Sequence, residues 1–169
     1  MGVTIHFEGR VKGATACSLL IDEISEFAAN HGWRVEEIPR ASRSLKRVRD
    51  EQNWDYSGPT FGIVLSPHPG CDPLRFEFDK DFYIQEFVKT QFAGAETHIA
   101  IVELLRRIHP FFDALNVGDE GEFWDTSDDG VLQQHIERCN EVLRDLLAKN
   151  PNAKGPIRLP DGRIADFMS

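Results

Sequence analysis

The chain has 169 residues, of which 41% are hydrophobic and 28% charged, and it carries a formal net charge of −9. That length suits one domain, and burial of roughly 68–70% of the unfolded surface suffices for a core without covalent staples. The composition excludes wholesale disorder, and the acidic balance disfavours a nucleic-acid partner because it repels phosphates.

Met1-Gly2-Val3-Thr4-Ile5-His6 has no basic region followed by an apolar run, so no signal peptide is expected. Gly2 fits the start of a myristoylation pattern, but His6 stands where Ser or Thr is required. Val3 to Glu8 alternates apolar and polar residues, which predicts a half-buried strand. Beyond Gly13 a helix is expected over 14–31, with Cys17, Leu20, Ile21, Ile24, Phe27 and Ala28 on one buried stripe. Gly32 follows as a left-handed cap. Trp33 to Glu36 reads as a second strand that stops near Pro39.

Residues 40–58 are polar and basic. Phe61 to Leu65 is a nearly unbroken apolar run, as in a central strand. His68 to Pro73 is rich in turn residues, and Leu74 to Asp79 alternates with Leu74, Phe76 and Phe78 inside. Phe87 to Phe92 is a weaker strand candidate. A second helix is expected over 95–108, ended by Pro110. An acidic stretch with a short strand at Phe123-Trp124 follows. The third helix, 129–148, carries Leu132, Ile136, Cys139, Val142, Leu143, Leu146 and Leu147, and Pro151 closes it. Residues 157–164 suit a small hairpin.

The order predicts an α+β fold, β-α-β-β-β-β-α-α, with a mainly antiparallel sheet and helices on one face. One α+β domain over 1–150 and a C-terminal tail over 151–169 are expected. One half of a TATA-box-binding protein and the helix-grip folds share this shape; the analogy is topological only, since no motif of either is present.

Asp113, Asp119, Glu120, Glu122, Asp125, Asp128 and Asp129 occur with no Lys or Arg between Arg107 and Arg138. Clustered carboxylates are hard-cation ligands, and Asp125-x-Ser127-x-Asp129-Gly130 imitates half of a calcium loop. Ile136 stands where that loop needs its bidentate Glu, so helix capping by Ser127 or Asp128 is the simpler reading and no metal site is assigned. Asp119, Glu120 and Glu122 are instead candidates for an acidic partner surface.

Arg40, Arg43, Lys46, Arg47 and Arg49 lie within ten residues, followed by Trp54 and Tyr56. Arginines beside aromatics hold phosphates or stack on bases, so Arg43, Lys46, Arg47 and Trp54 are binding candidates. The simpler reading is a solvated segment that pairs with acids of the same chain, such as Asp50, Glu51 or the 113–129 stretch.

The six histidines form no close metal-binding pair. His68 and Cys71 could make a Cys/His nucleophile, although a proline-glycine turn explains them more simply. His135 reads as a core-edge residue, and Cys17 and Cys139 as small core hydrophobes. Glu77 and Asp79 with Lys89 could hold Mg²⁺, but Arg75, Glu77 and Asp79 read better as the wet face of a half-covered sheet. No cofactor fingerprint is present.

The three cysteines without close spacing fit a reducing compartment, and no apolar run approaches the ~18 residues of a membrane helix, so a soluble cytoplasmic protein is expected. The balance is against an enzyme. The leading expectation is a non-catalytic module that binds a protein partner, a ligand or a second copy through charge-segregated surfaces. The alternatives are a metal-dependent hydrolase or phosphate-handling enzyme using the carboxylates, and nucleic-acid contact through 40–56.

Overall fold

β1 (Thr4–Val11) turns its odd-numbered side chains inward, and Ile5, Phe7 and Val11 are almost fully buried while His6 and Arg10 stay in water. Two distant strands flank it, both antiparallel: β7 (Tyr83–Lys89), with Thr4 opposite Lys89, and β8 (Phe112–Asp119), with His6 opposite Gly118. A second three-stranded antiparallel sheet is ordered β2 (Arg34–Leu45), β5 (Tyr56–Ser66), β6 (Leu74–Phe78). Between β2 and β5 the chain makes a small outlying hairpin, β3 (Val48–Arg49) with β4 (Gln52–Asn53). The computed structural model that gives this α+β architecture describes residues 2–168.

Three long helices close the inner side. α1 (Ala14–Asn30) buries Cys17, Leu20, Ile24, Phe27 and Ala28, the expected stripe, and Gly32 follows it at φ 68°. α2 (Ala95–Ile108) has the expected boundaries and buries Ile101, Leu104, Leu105 and Ile108. After a 3₁₀ turn at His109–Phe111 and a short α3 (Phe123–Thr126) comes α4 (Asp129–Lys149), capped by Asp128, whose carboxylate accepts the Gly130 and Val131 N–H groups. On α4, Leu132, Ile136 and Leu143 are buried, but Val142 is 38% exposed, so the far half of its stripe is thinly covered. One hydrophobic cluster takes side chains from both sheets and from α1, α2 and α4.

Four expectations are corrected. Pro39 does not stop β2; a bulge between Ile38 and Ala41 accommodates it, and on an edge strand a missing N–H leaves no bond unmade. The third strand of the first sheet, β8, lies where only an acidic loop was expected, because a register shift at its pairing with Arg10 and Val11 breaks the period of two between Phe112 and Leu115. Phe123-Trp124 begins a helical turn, not a strand, and the strand placed at 87–92 runs from 83 to 89. The observed order therefore has a strand between the second and last long helices.

β6 and β7 are joined by a tight turn in which the Asp79 N–H bonds Tyr83 O, but no ladder continues between them. The chain's last segment, where β9 (Ile157–Arg158) pairs with β10 (Ile164–Ala165), bridges that seam. Arg163 donates to the β7 carbonyl of Phe87 (3.0 Å) and to Glu86 (3.1 Å), Ile164 N–H donates to Asp72 (2.7 Å), and Lys89 pairs with Asp166 (2.6 Å). Burial lifts the Glu86 carboxyl to about 7 despite the opposing charges of Arg163 and Arg75.

Candidate functional site

α1 packs on α2, on β1 and on both β2 and β5, but a gap remains between it and the β2–β5 wall. The gap is a crevice of about 460 Å³ whose walls include Ile21 and Ser25 of α1, Glu37 and Arg40 of β2, and Phe61 and Ile63 of β5. Ile21 belongs to the expected buried stripe, yet it is only half-buried because it looks into this space. Gly62 lies in the wall, and a side chain there would put its Cβ 1.8 Å from the Phe76 carbonyl oxygen. The Arg40 guanidinium lies over the Phe61 ring at 4.5 Å. Burial raises the Cys17 thiol to about 11, and the charge of Arg40 partly offsets that rise.

The basic segment beyond the crevice is neither helical nor a free loop. It is the arm formed by the far halves of β2 and β5, and its cations reach acids that were expected to face water. Glu77 is 2% exposed and Asp79 5% exposed. Arg43 (3.0 Å), Arg75 (3.3 Å) and the Thr60 hydroxyl (2.7 Å) all contact the Glu77 carboxylate. Arg47 is itself buried, donates to Asp79 (2.9 Å) and Tyr83 O (3.3 Å), and lies 5.1–5.5 Å from the rings of Trp54, Tyr56 and Tyr83. The carboxylates thus occupy an outer sheet face roofed by arginines, which alternation alone does not reveal. Gln85 fixes the outlying hairpin by bonding both backbone groups of Val48 (2.9 and 2.8 Å). A polar hollow of about 300 Å³ remains there, lined by Arg10, Arg47, Trp54, Asp79 and Lys80 among others. Lys46 stays exposed beside it.

The three acids of the proposed partner surface are dispersed rather than brought together. Asp119 is sealed inside, with His98 Nε2 at 2.9 Å, placed off the line of the ring N–H, and the Thr90 hydroxyl lies 2.6 Å from His98 Nδ1. Burial raises the Asp119 carboxyl, but His98 and the N–H groups of Trp124 and Gly121 outweigh it and hold the group below its ordinary range. Glu120 faces His6 at 3.6 Å, and Glu122 pairs with His135. Of the basic-segment candidates, Arg47 and Trp54 are brought together, the guanidinium 5.5 Å from the ring, while Arg43 turns to Glu77 and Arg47 also pairs with Asp79.

The Thr90–His98–Asp119 row has the residue types of a nucleophilic triad but no exposed side chain at His98 or Asp119, so no substrate reaches it. Cys71 is buried, which raises its thiol strongly, and His68 Nδ1 accepts the Gly70 N–H (2.8 Å) within its own turn. Among the described residues no three His, Cys, Asp or Glu side chains are grouped to hold a metal ion, and no helix is long and apolar enough to cross a membrane. The crevice carries one signal in the sequence, Pro39 inside a run of strand-forming residues, which predicts a strand end but marks the bulge. Compared with protein-family models, curated proteins and solved structures, the chain matches none.

Proposed function

We propose that this chain is a non-catalytic binding module and that its ligand site is the crevice between α1 and the β2–β5 sheet. The supporting observation is an open concavity of about 460 Å³ with an apolar floor and a few polar groups at its rim. Small-molecule sites share those features and span roughly 300–1,000 Å³. The reading against catalysis draws on the burial of His98 and Cys71, the members of the two arrangements that have the residue types of a nucleophilic site. Nucleic-acid contact through the arm is less favoured, because Arg43 and Arg47 already neutralise carboxylates of this chain.

The test is titration with 8-anilinonaphthalene-1-sulfonate, whose rings suit the floor and whose sulfonate suits Arg40. Saturable one-to-one fluorescence enhancement is expected, with amide shifts in two-dimensional NMR confined to residues such as Ile21, Ser25 and Ile63. Ser25→Trp should fill the crevice and abolish the signal while circular dichroism stays unchanged. Shifts centred on any other face, or unaltered binding by a folded Ser25→Trp protein, would remove the proposal.

A further inference from the structure

The crevice owes its chemistry to the bulge in β2. Ahead of the bulge the odd residues face inward: Val35 stands opposite Leu65, and Glu37 opposite Ile63. In an unbroken strand Arg40 would then project from the opposite face, since side chains alternate. The shift between Ile38 and Ala41 reverses the parity, so Arg40 turns inward onto Phe61 while Arg43 turns outward onto Glu77. Bulges commonly re-aim a side chain at a site in this way.

The charges on β2 divide along the same line. The strand carries five charged residues, Arg34, Glu36, Glu37, Arg40 and Arg43. Arg34 pairs with Glu36 (3.7 Å) and Arg43 with Glu77. Glu37 and Arg40 have no ion-pair partner among the described residues, and these are the two that line the crevice. Two opposite charges on one wall, not paired with each other and set beside apolar side chains, are complementary to a molecule charged oppositely at its two ends. Three strand positions span at most about 10 Å, a distance comparable to the extended length of two or three residues of peptide.

Resting on the crevice reading, we infer that the ligand is a zwitterionic short peptide with an apolar side chain, its free carboxylate on Arg40 and its free ammonium on Glu37. The side chain lies on Ile21, Phe61 and Ile63. A single amino acid brings its two charged groups too close together to engage both residues.

The experiment uses the full chain and the dipeptide leucyl-phenylalanine, with its N-acetyl form, its C-terminal amide and free leucine as comparisons, each titrated by calorimetry. Saturable binding of the free dipeptide is expected, weakened about tenfold by either cap, the loss typical of one charge-assisted contact. Arg40→Gln should erase the difference between acid and amide, and Glu37→Gln the difference between amine and acetyl; both residues are exposed, so the fold survives. Equal affinity for capped and free forms would overturn the inference, as would free leucine binding as well as the dipeptide. If the naphthalene sulfonate binds in the crevice and the dipeptide does not, the peptide assignment falls and the crevice stands. If neither binds, both fall.

Discussion

Arg47 and Asp79, thirty-two positions apart in sequence, meet below the surface with Nη1 2.9 Å from Oδ2. Their side chains are 3% and 7% exposed, and three aromatic rings surround the guanidinium. Removing one member of a buried pair leaves the other charge uncompensated, a loss of about 3–5 kcal/mol. Arg47→Met should lower stability by that amount in urea unfolding, whereas Lys46→Met, at an exposed position, should fall within about 0.5 kcal/mol of the parent. Similar midpoints for the two variants would mean that Asp79 is hydrated.

The Glu86 carboxyl titrates near 7 in the folded protein against an ordinary value of 4.5. Between those values the folded state holds the proton and the unfolded state has lost it, so this group makes stability fall as pH rises from 4.5 to 7. One such group contributes at most about 1.4 kcal/mol per pH unit. Glu86→Gln should remove that slope, which unfolding curves collected at several pH values between 5 and 8 would reveal. An unchanged slope would show that Glu86 is ionised throughout.

Asp119 has the opposite sign. Its folded carboxyl lies below the ordinary value, so its stabilising contribution is present above that value and is lost as pH falls through the depressed one. Asp119→Asn should reduce stability at neutral pH and flatten the acid limb of the stability curve. An Asn variant as acid-sensitive as the parent would contradict the assignment.

At Gly62 an added methyl would sit 1.8 Å from a backbone oxygen of the neighbouring strand, which cannot retreat as a flexible side chain can. Gly62→Ala should therefore disrupt the pairing of β5 with β6 and destabilise by more than the ~1 kcal/mol of an ordinary strand glycine change. Gly32→Ala, with nothing within 4 Å, should be milder and limited to its φ of 68°. Thermal unfolding of the two variants compares them directly.

The sequence was most legible where hydrophobic period and a stop signal coincided. α2 has both, with Ile101, Leu104, Leu105 and Ile108 on one face and Pro110 beyond it, and its expected and observed limits coincide at 95–108. β8 lacked the first, because the bulge beside Phe112 breaks its alternation. The crevice left a single mark, Pro39 within a strand-forming run: whether Arg40 faces the inside depends on one extra residue in the strand, and composition and spacing do not show that change of parity. Glu77 and Asp79 alternate as solvent-facing residues should, and only the folding back of the arm puts arginines over them.

The position of β1 has a kinetic consequence. β1 is the middle strand of its sheet, yet its partners begin at Tyr83 and Phe112, so both of its pairings close long stretches of chain. Such long-range closures slow folding and lengthen the time for which an apolar strand lies uncovered. Ile5 and Phe7, buried in the folded chain, stay uncovered until those pairings close, and refolding yield should decline with concentration well before the native state shows any tendency to associate.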